Sequence, residues 1–147
     1  MVKKLTQDTL VFSVGGIVYG LIEILWRQRT HWTMLITGGL CFLVLFRVFL
    51  KIRKINTVLK CIIGSAVITS IELATGCIVN LKFKMNVWDY SALPFNLWGQ
   101  ICPRYSILWA VLTVPIILAC TCMEKILRPE ISAWASAAAV AAITDSP

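Results

Sequence analysis

Residues 32–50 read WTMLITGGLCFLVLFRVFL, nineteen positions with a single charge, Arg47. An α-helix rises about 1.5 Å per residue, so about 20 such residues cross the roughly 30 Å hydrocarbon layer of a bilayer. Apolar runs of this length with almost no charge read as membrane-spanning helices. Working outward from this segment, three more spans are expected at about 10–26, 59–79 and 105–123. The first is short, and it extends through Thr9 or Arg27 if the Arg27 head snorkels to the interface. Four spans in 147 residues leave little for a soluble domain. The expected fold class is therefore an all-α integral membrane protein with four transmembrane helices. Residues 1–128 form the transmembrane domain and 129–147 an Ala-rich C-terminal tail.

Composition agrees with this reading. The chain is 59% hydrophobic and 14% charged, against about 45–50% and about 25% in soluble domains. The net charge of +7 is not read as a nucleic-acid footprint, because the basic residues sit at the ends of apolar segments. There they suit lipid headgroups and short loops, so the expected partner is the lipid bilayer and not nucleic acid. Lys3 and Lys4 precede the first apolar run, as in a signal peptide, but no A-x-A-like cleavage site follows and Glu23, Trp26 and Arg27 close the run. A retained first helix is expected.

Charge also orients the chain. Lys3, Lys4, Arg47, Lys51, Arg53, Lys54, Lys60, Lys125 and Arg128 fall on one side, and Arg27, Arg29, Lys82, Lys84 and Arg104 on the other, nine against five. The positive-inside rule then places both termini in the cytoplasm of a multi-pass protein of the cell membrane.

The connection between the third and fourth spans stands apart. Residues 80–104 contain Trp88, Tyr90, Phe95 and Trp98 together with Pro94 and Pro103. Aromatic rings favour the membrane–water interface and proline breaks long helices, so an interfacial or re-entrant aromatic loop is expected. The apolar stretch 131–143, set off by Pro129, is too short to span and reads as an interfacial helix or a loose tail.

Ionisable groups inside spans cost a few kcal/mol and usually face other helices or a watery cavity. Glu72 is one such group. Ser65, Thr69, Glu72, Gly76 and Asn80 step by four, three, four and four, which draws one stripe along the third span. In the first span Gly16, Gly20, Glu23 and Arg27 share a face with Tyr19 beside them. Glu23 and Arg27 have the order that favours an intrahelical ion pair. Gly16 and Gly20, a small-xxx-small pair, permit close approach of another backbone, and Gly76 is assigned the same packing role. In the loop, Asp89 between Trp88 and Tyr90 fits either a capped turn or an aromatic-walled vestibule for a cationic ligand, and Asn96 with Gly99 fits a tight bend. The candidate substrate or ion site is Glu23, Glu72, Asn80, Asp89 and Asn96. For Glu23 and Glu72 the plainer alternatives are an ion pair at the helix end and an interhelical hydrogen bond.

Catalytic signatures are missing from the sequence: no GxSxG elbow, HExxH or Walker A motif occurs. Six cysteines without a CxxC pair, and His31 as the one histidine, give none of the usual zinc spacings. They read as packing residues, and neither cofactor nor metal is expected.

The run Trp88-Asp89-Tyr90-Ser91, then Leu93-Pro94-Phe95-Asn96, Gly99, Ile101-Cys102, Ser106 and Trp109, preceded by Glu72, Gly76 and Asn80, resembles the bacterial membrane family labelled "Putative ABC-transporter type IV". Gly16, Tyr19, Glu23 and residues 27–39 resemble the first two helices of one branch of it. The likeness covers roughly 10–125, with the Ala-rich tail beyond it. It implies a permease subunit. Because four spans are few for such a subunit and no nucleotide-binding segment is present, it further implies a homo-oligomer or other membrane subunits, together with a separate ATPase. The leading expectation is a permease-like, transport-associated protein with Glu72 as the charged centre and the aromatic loop gating the outer mouth. The alternative is a non-transporting scaffold or assembly subunit that offers its small-residue faces to partner helices.

Overall fold

A computed structural model describes the backbone of residues 2–144 and the side chains of residues 4–127. Its elements are α1 (Val2–Arg27), α2 (Trp32–Lys51), α3 (Thr57–Gly76) continuing into a π-helical turn (Cys77–Lys82), and α4 (Pro103–Thr144). Four segments are long and apolar enough to cross a membrane: Lys4–Arg27, Trp32–Lys51, Thr57–Lys82 and Pro103–Leu127. The four expected spans are therefore present, the second ending one residue beyond its apolar run and the other three several residues longer than theirs. In a medium without water the backbone continues its own hydrogen bonding to the last available partner.

Local chemistry sets the ends. Gln28 adopts a positive φ of 57° and its N–H closes α1 on the Ile24 carbonyl at 2.9 Å. His31 caps α2, accepting from the Thr33 N–H at 3.4 Å, and Asn56 caps α3, its Oδ1 accepting from the Leu59 N–H at 2.8 Å. Pro103 opens α4, where its missing N–H costs nothing. The expectation that Pro129 separates a distinct tail is not met by the backbone. Pro129 lies inside α4, which stays helical to Thr144. One proline removes one i→i−4 bond and the turns on either side retain theirs. Residues 145–147 of the expected tail lie outside the described residues.

Short connections join α1 to α2 and α2 to α3, the long segment 83–102 joins α3 to α4, and α1 packs chiefly on α2 while α3 packs chiefly on α4. The first pair is built on glycine. A Cβ on Gly16 would stand 2.6 Å from the Leu35 carbonyl oxygen, and one on Gly39 would stand 2.7 Å from the Phe12 carbonyl oxygen. Gly20 faces the Leu35 side chain, where a Cβ would lie at 3.3 Å. Thus the small-xxx-small face is already filled by α2 of the same chain, with backbone against backbone.

The bundle is polarised along its length. Val11, Leu45, Phe46, Phe49, Ile68, Cys120, Met123 and Leu127 form the apolar core, weighted toward the end that carries the α2–α3 loop. Asp8 and Arg47 pair at that end, as do Arg53 and Glu124. The opposite end buries polar groups: Glu23, Thr33, Thr37, Glu72, Asn80 and Gln100. Leu10, Val14, Ile17, Val18, Leu21 and Ile22 of α1, with Ile107, Val111, Val114 and Leu118 of α4, face outward. That surface suits lipid or a neighbouring helix.

Candidate functional site

The stripe along α3 does face other elements, and each member has its own partner. Ser65 Oγ donates to the Ser106 carbonyl at 2.6 Å, and Thr69 Oγ1 bonds the Ser106 hydroxyl at 3.1 Å. One turn further, Glu72 receives two donors. The Tyr90 hydroxyl donates to Oε1 at 3.0 Å and the Trp109 indole N–H donates to Oε2 at 2.8 Å. Glu72 is 5% exposed, and among the described residues no cation lies within salt-bridge distance of its carboxylate. Tyr105 stacks on Tyr90 with ring centroids 4.4 Å apart, and Tyr19 of α1 approaches Trp109 at 6.3 Å. Two aromatic donors, from the loop and α4, thus meet one acidic group on α3, and a ring from α4 and one from α1 back them. Burial first, then the nearby Glu72 charge, pushes the Tyr90 phenol well above the ordinary tyrosine range. Tyr90 therefore remains protonated and acts as donor in this pair.

Beyond Glu72 the helix widens. In the π-helical turn the Phe83 N–H reaches back five residues to the Ile78 carbonyl at 3.0 Å, and Met85 reaches Val79 at 3.0 Å. This aims Asn80 into the loop. Its Nδ2 donates to the Trp88 carbonyl and to Gln100 Oε1, both at 2.9 Å, while its Oδ1 accepts from the Val87 N–H at 2.8 Å. The Trp88 indole N–H completes the lattice on the Gln100 carbonyl at 3.0 Å, and both side chains are buried. Gly76 makes room for it, since a Cβ there would fall 2.5 Å from Gln100 Oε1. Asn80 therefore fixes the chain path across residues 87–100.

Asp89 and Asn96 serve the loop locally. Asp89 accepts from the Ser91 N–H at 2.8 Å and the Ser91 hydroxyl at 2.9 Å, the capped-turn arrangement, and it is exposed. Asn96 donates to the carbonyls of Ser91 and Leu93 at 3.1 and 2.8 Å and accepts from the Gly99 N–H at 2.9 Å. Gly99 has a φ of +68°, and a Cβ there would meet Asp89 Oδ1 at 2.7 Å, so this bend requires glycine. Phe95, 88% exposed, and Trp98 also adopt positive φ values, 57° and 53°, and project outward.

Glu23 belongs to a third group. It pairs with Arg27 Nη1 at 3.0 Å, as the spacing predicts, and accepts from the Thr30 hydroxyl at 2.5 Å. Arg27 Nη2 also reaches the Val87 carbonyl at 3.4 Å. The five candidate residues therefore fall into separate hydrogen-bonded groups: Glu72 with its aromatic donors, Asn80 with the loop backbone, Asp89 and Asn96 within the loop, and Glu23 with Arg27. Sequence reasoning did not single out Gln100, Tyr105 or Thr30 for this end of the bundle. Only the polarity of Gln100 between Gly99 and the apolar Ile101-Cys102 pair marked it in advance.

A family model described as Putative ABC-transporter type IV matches residues 9–145. The chain belongs to this family. The match takes in all four spanning segments and the aromatic loop. It also runs past residue 125 through the Ala-rich segment, which corrects the expectation that the tail lies outside the family. A continuous α4 accounts for this, since the segment extends the fourth helix. Neither curated proteins nor solved structures gave a match to the chain. The family is described as a putative ABC-transporter type, and the four apolar helices fit a membrane protein.

Proposed function

We propose that the chain is a permease-like subunit of a membrane transport system, working as an oligomer or with further membrane subunits and a separate ATPase. The observation that carries this reading is the Glu72 centre. A carboxylate buried in a spanning helix costs a few kcal/mol, yet this one is met by two neutral aromatic donors, each backed by a tyrosine ring, rather than by a cation. One of those donors, Tyr90, comes from the loop and the other, Trp109, from α4. Glu72 thus works as a latch between the two. A cation or protonated ligand reaching Glu72 competes with the Tyr90 hydroxyl, and releasing Tyr90 loosens the loop there while Asn80 still ties residues 87–100. The loop, with Phe95 and Trp98 at headgroup level, serves as the gate of the outer mouth. The aromatic walls suit a cationic or amphipathic substrate. The scaffold alternative loses its main support, because Gly16 and Gly20 already face α2 within the chain.

Native mass spectrometry of the tagged protein, extracted gently from its host membrane, tests the assignment. The expected result is a complex that holds more than one copy of this chain or other membrane subunits, together with an ATPase. A bare chain at every detergent strength, with no ATPase at any of them, would overturn the permease reading.

A further inference from the structure

At the end of the bundle remote from Glu72, a cavity of about 220 Å³ opens between α2, α3 and α4. Its rim carries Arg53, Lys60 and Glu124, and its walls are Phe46, Phe49, Leu50 and Ile117. Phe46 lies seven residues before Arg53, as Ile117 lies seven before Glu124. At 1.5 Å per residue the apolar walls reach about 10 Å inward from the charged rim. The cavity is therefore amphipathic along the membrane normal.

Its charges are unbalanced. Arg53 Nη2 pairs with Glu124 Oε1 at 2.8 Å, which cancels one cation and holds the guanidinium at the rim. Lys60 Nζ donates to the Arg53 carbonyl at 3.0 Å, which fixes the ammonium over the cavity and leaves two of its protons for another acceptor. Among the described residues Lys60 has no carboxylate partner. Exposed Lys51, at the end of α2, and Lys54, in the α2–α3 loop, do not line the cavity. An excess of cations over a short apolar shaft, at the level where a span ends, matches an anionic headgroup whose hydrocarbon continues into the bilayer. At about 220 Å³ the cavity has room for a phosphate group and its first carbons, and the acyl chains must leave sideways between the helices.

We propose that this cavity is a binding site for an anionic phospholipid of the surrounding leaflet, with Lys60 and Arg53 on the phosphate and Phe46, Phe49 and Ile117 against the glycerol end of the chains. Glu124 is a positioning residue that acts through Arg53. The site is independent of the Glu72 centre and of any transport activity.

The test is lipid retention. The full chain is exchanged into vesicles of phosphatidylcholine alone or mixed with phosphatidylglycerol, re-extracted, and weighed by native mass spectrometry with its adducts. Phosphatidylglycerol should be retained in preference. Losing the Lys60 contact in Lys60→Gln should weaken that retention about tenfold, the scale of one charge-assisted hydrogen bond. Lys60→Arg should restore it, and Lys54→Gln in the α2–α3 loop should leave it unchanged. A parallel melt in neutral detergent with inorganic phosphate separates the two sources of a phosphate group. Stabilisation by phosphate with equal retention of both lipids would show a soluble anion site and overturn the lipid assignment. Equal retention with no response to phosphate would overturn the site altogether, as would equal losses in Lys60→Gln and Lys54→Gln.

Discussion

Glu72 is the residue on which the proposed mechanism turns, and its two donors decide which substitution is informative. In Glu72→Gln the side-chain oxygen accepts from the Trp109 indole, while its NH₂ donates to the Tyr90 hydroxyl, which turns to become the acceptor. Both bonds survive and only the charge is lost. Insertion, expression and thermal stability should stay near wild type while the activity of the assembled complex disappears. In Glu72→Ala two half-buried donors lose their partner, at a cost on the order of 1 kcal/mol. If Glu72→Gln retains activity, and the activity of Glu72→Ala simply follows the folded fraction in a melt, Glu72 is an interhelical hydrogen bond and nothing more. Tyr90→Phe sharpens the same point. It removes the loop's tie to Glu72 but keeps the Tyr105 stack, so the loop should become more accessible to protease without loss of the four-helix fold.

At the scale of elements, the segment from residue 83 to 102 has little regular secondary structure, and a lattice of three side chains holds it together with the Tyr90–Glu72 bond. Asn80 reaches up from the π-helical turn, and Trp88 and Gln100 close the lattice within the loop. Asn80→Ala leaves the Val87 N–H and the Trp88 carbonyl without their partner. Hydrogen exchange in residues 87–100 should speed up by an order of magnitude or more, matching about 1–3 kcal/mol of lost satisfaction. Exchange in α1 and α2 should not change, because those helices pack on one another through Gly16 and Gly39. The α1–α2 pair makes the opposite prediction. Gly16→Val drives a branched side chain into the Leu35 carbonyl, and overpacking of this kind costs about 1–3 kcal/mol. A melt of Gly16→Val should show that loss, while native mass spectrometry should show an unchanged copy number. A change in copy number with no loss of stability would mean that α1 meets a partner chain instead.

For the whole molecule, the polarised bundle implies a sidedness. The Glu72 centre and the aromatic loop occupy one end, and the α2–α3 loop with its basic cluster occupies the other. In a background with all six cysteines replaced by alanine, Phe95→Cys and Asn56→Cys should label from opposite faces with a membrane-impermeant maleimide. The charge bias further predicts that Phe95→Cys labels in intact cells and Asn56→Cys only after permeabilisation. The reverse pattern would invert the topology and place the aromatic loop in the cytoplasm. The outward apolar surfaces of α1 and α4 suit lipid or a neighbouring helix.

The sequence by itself determined the four spans, because a run of apolar residues as long as 32–50 has one stable state in a bilayer and its length sets its ends. It also determined the face of α3 that carries Glu72, since helical periodicity aligns Ser65, Thr69, Glu72, Gly76 and Asn80 whatever lies opposite. The Glu23–Arg27 pair followed from spacing along one helix in the same way. Only the tertiary structure decided what those residues meet. Tyr90 and Trp109 lie 18 and 37 positions from Glu72, and no periodicity relates a helix to a loop that folds back over it. Tertiary packing likewise assigned Gly16 and Gly20 to α2. These outcomes depend on which partner reaches each polar or small residue first, and proximity in space is not written in a linear pattern.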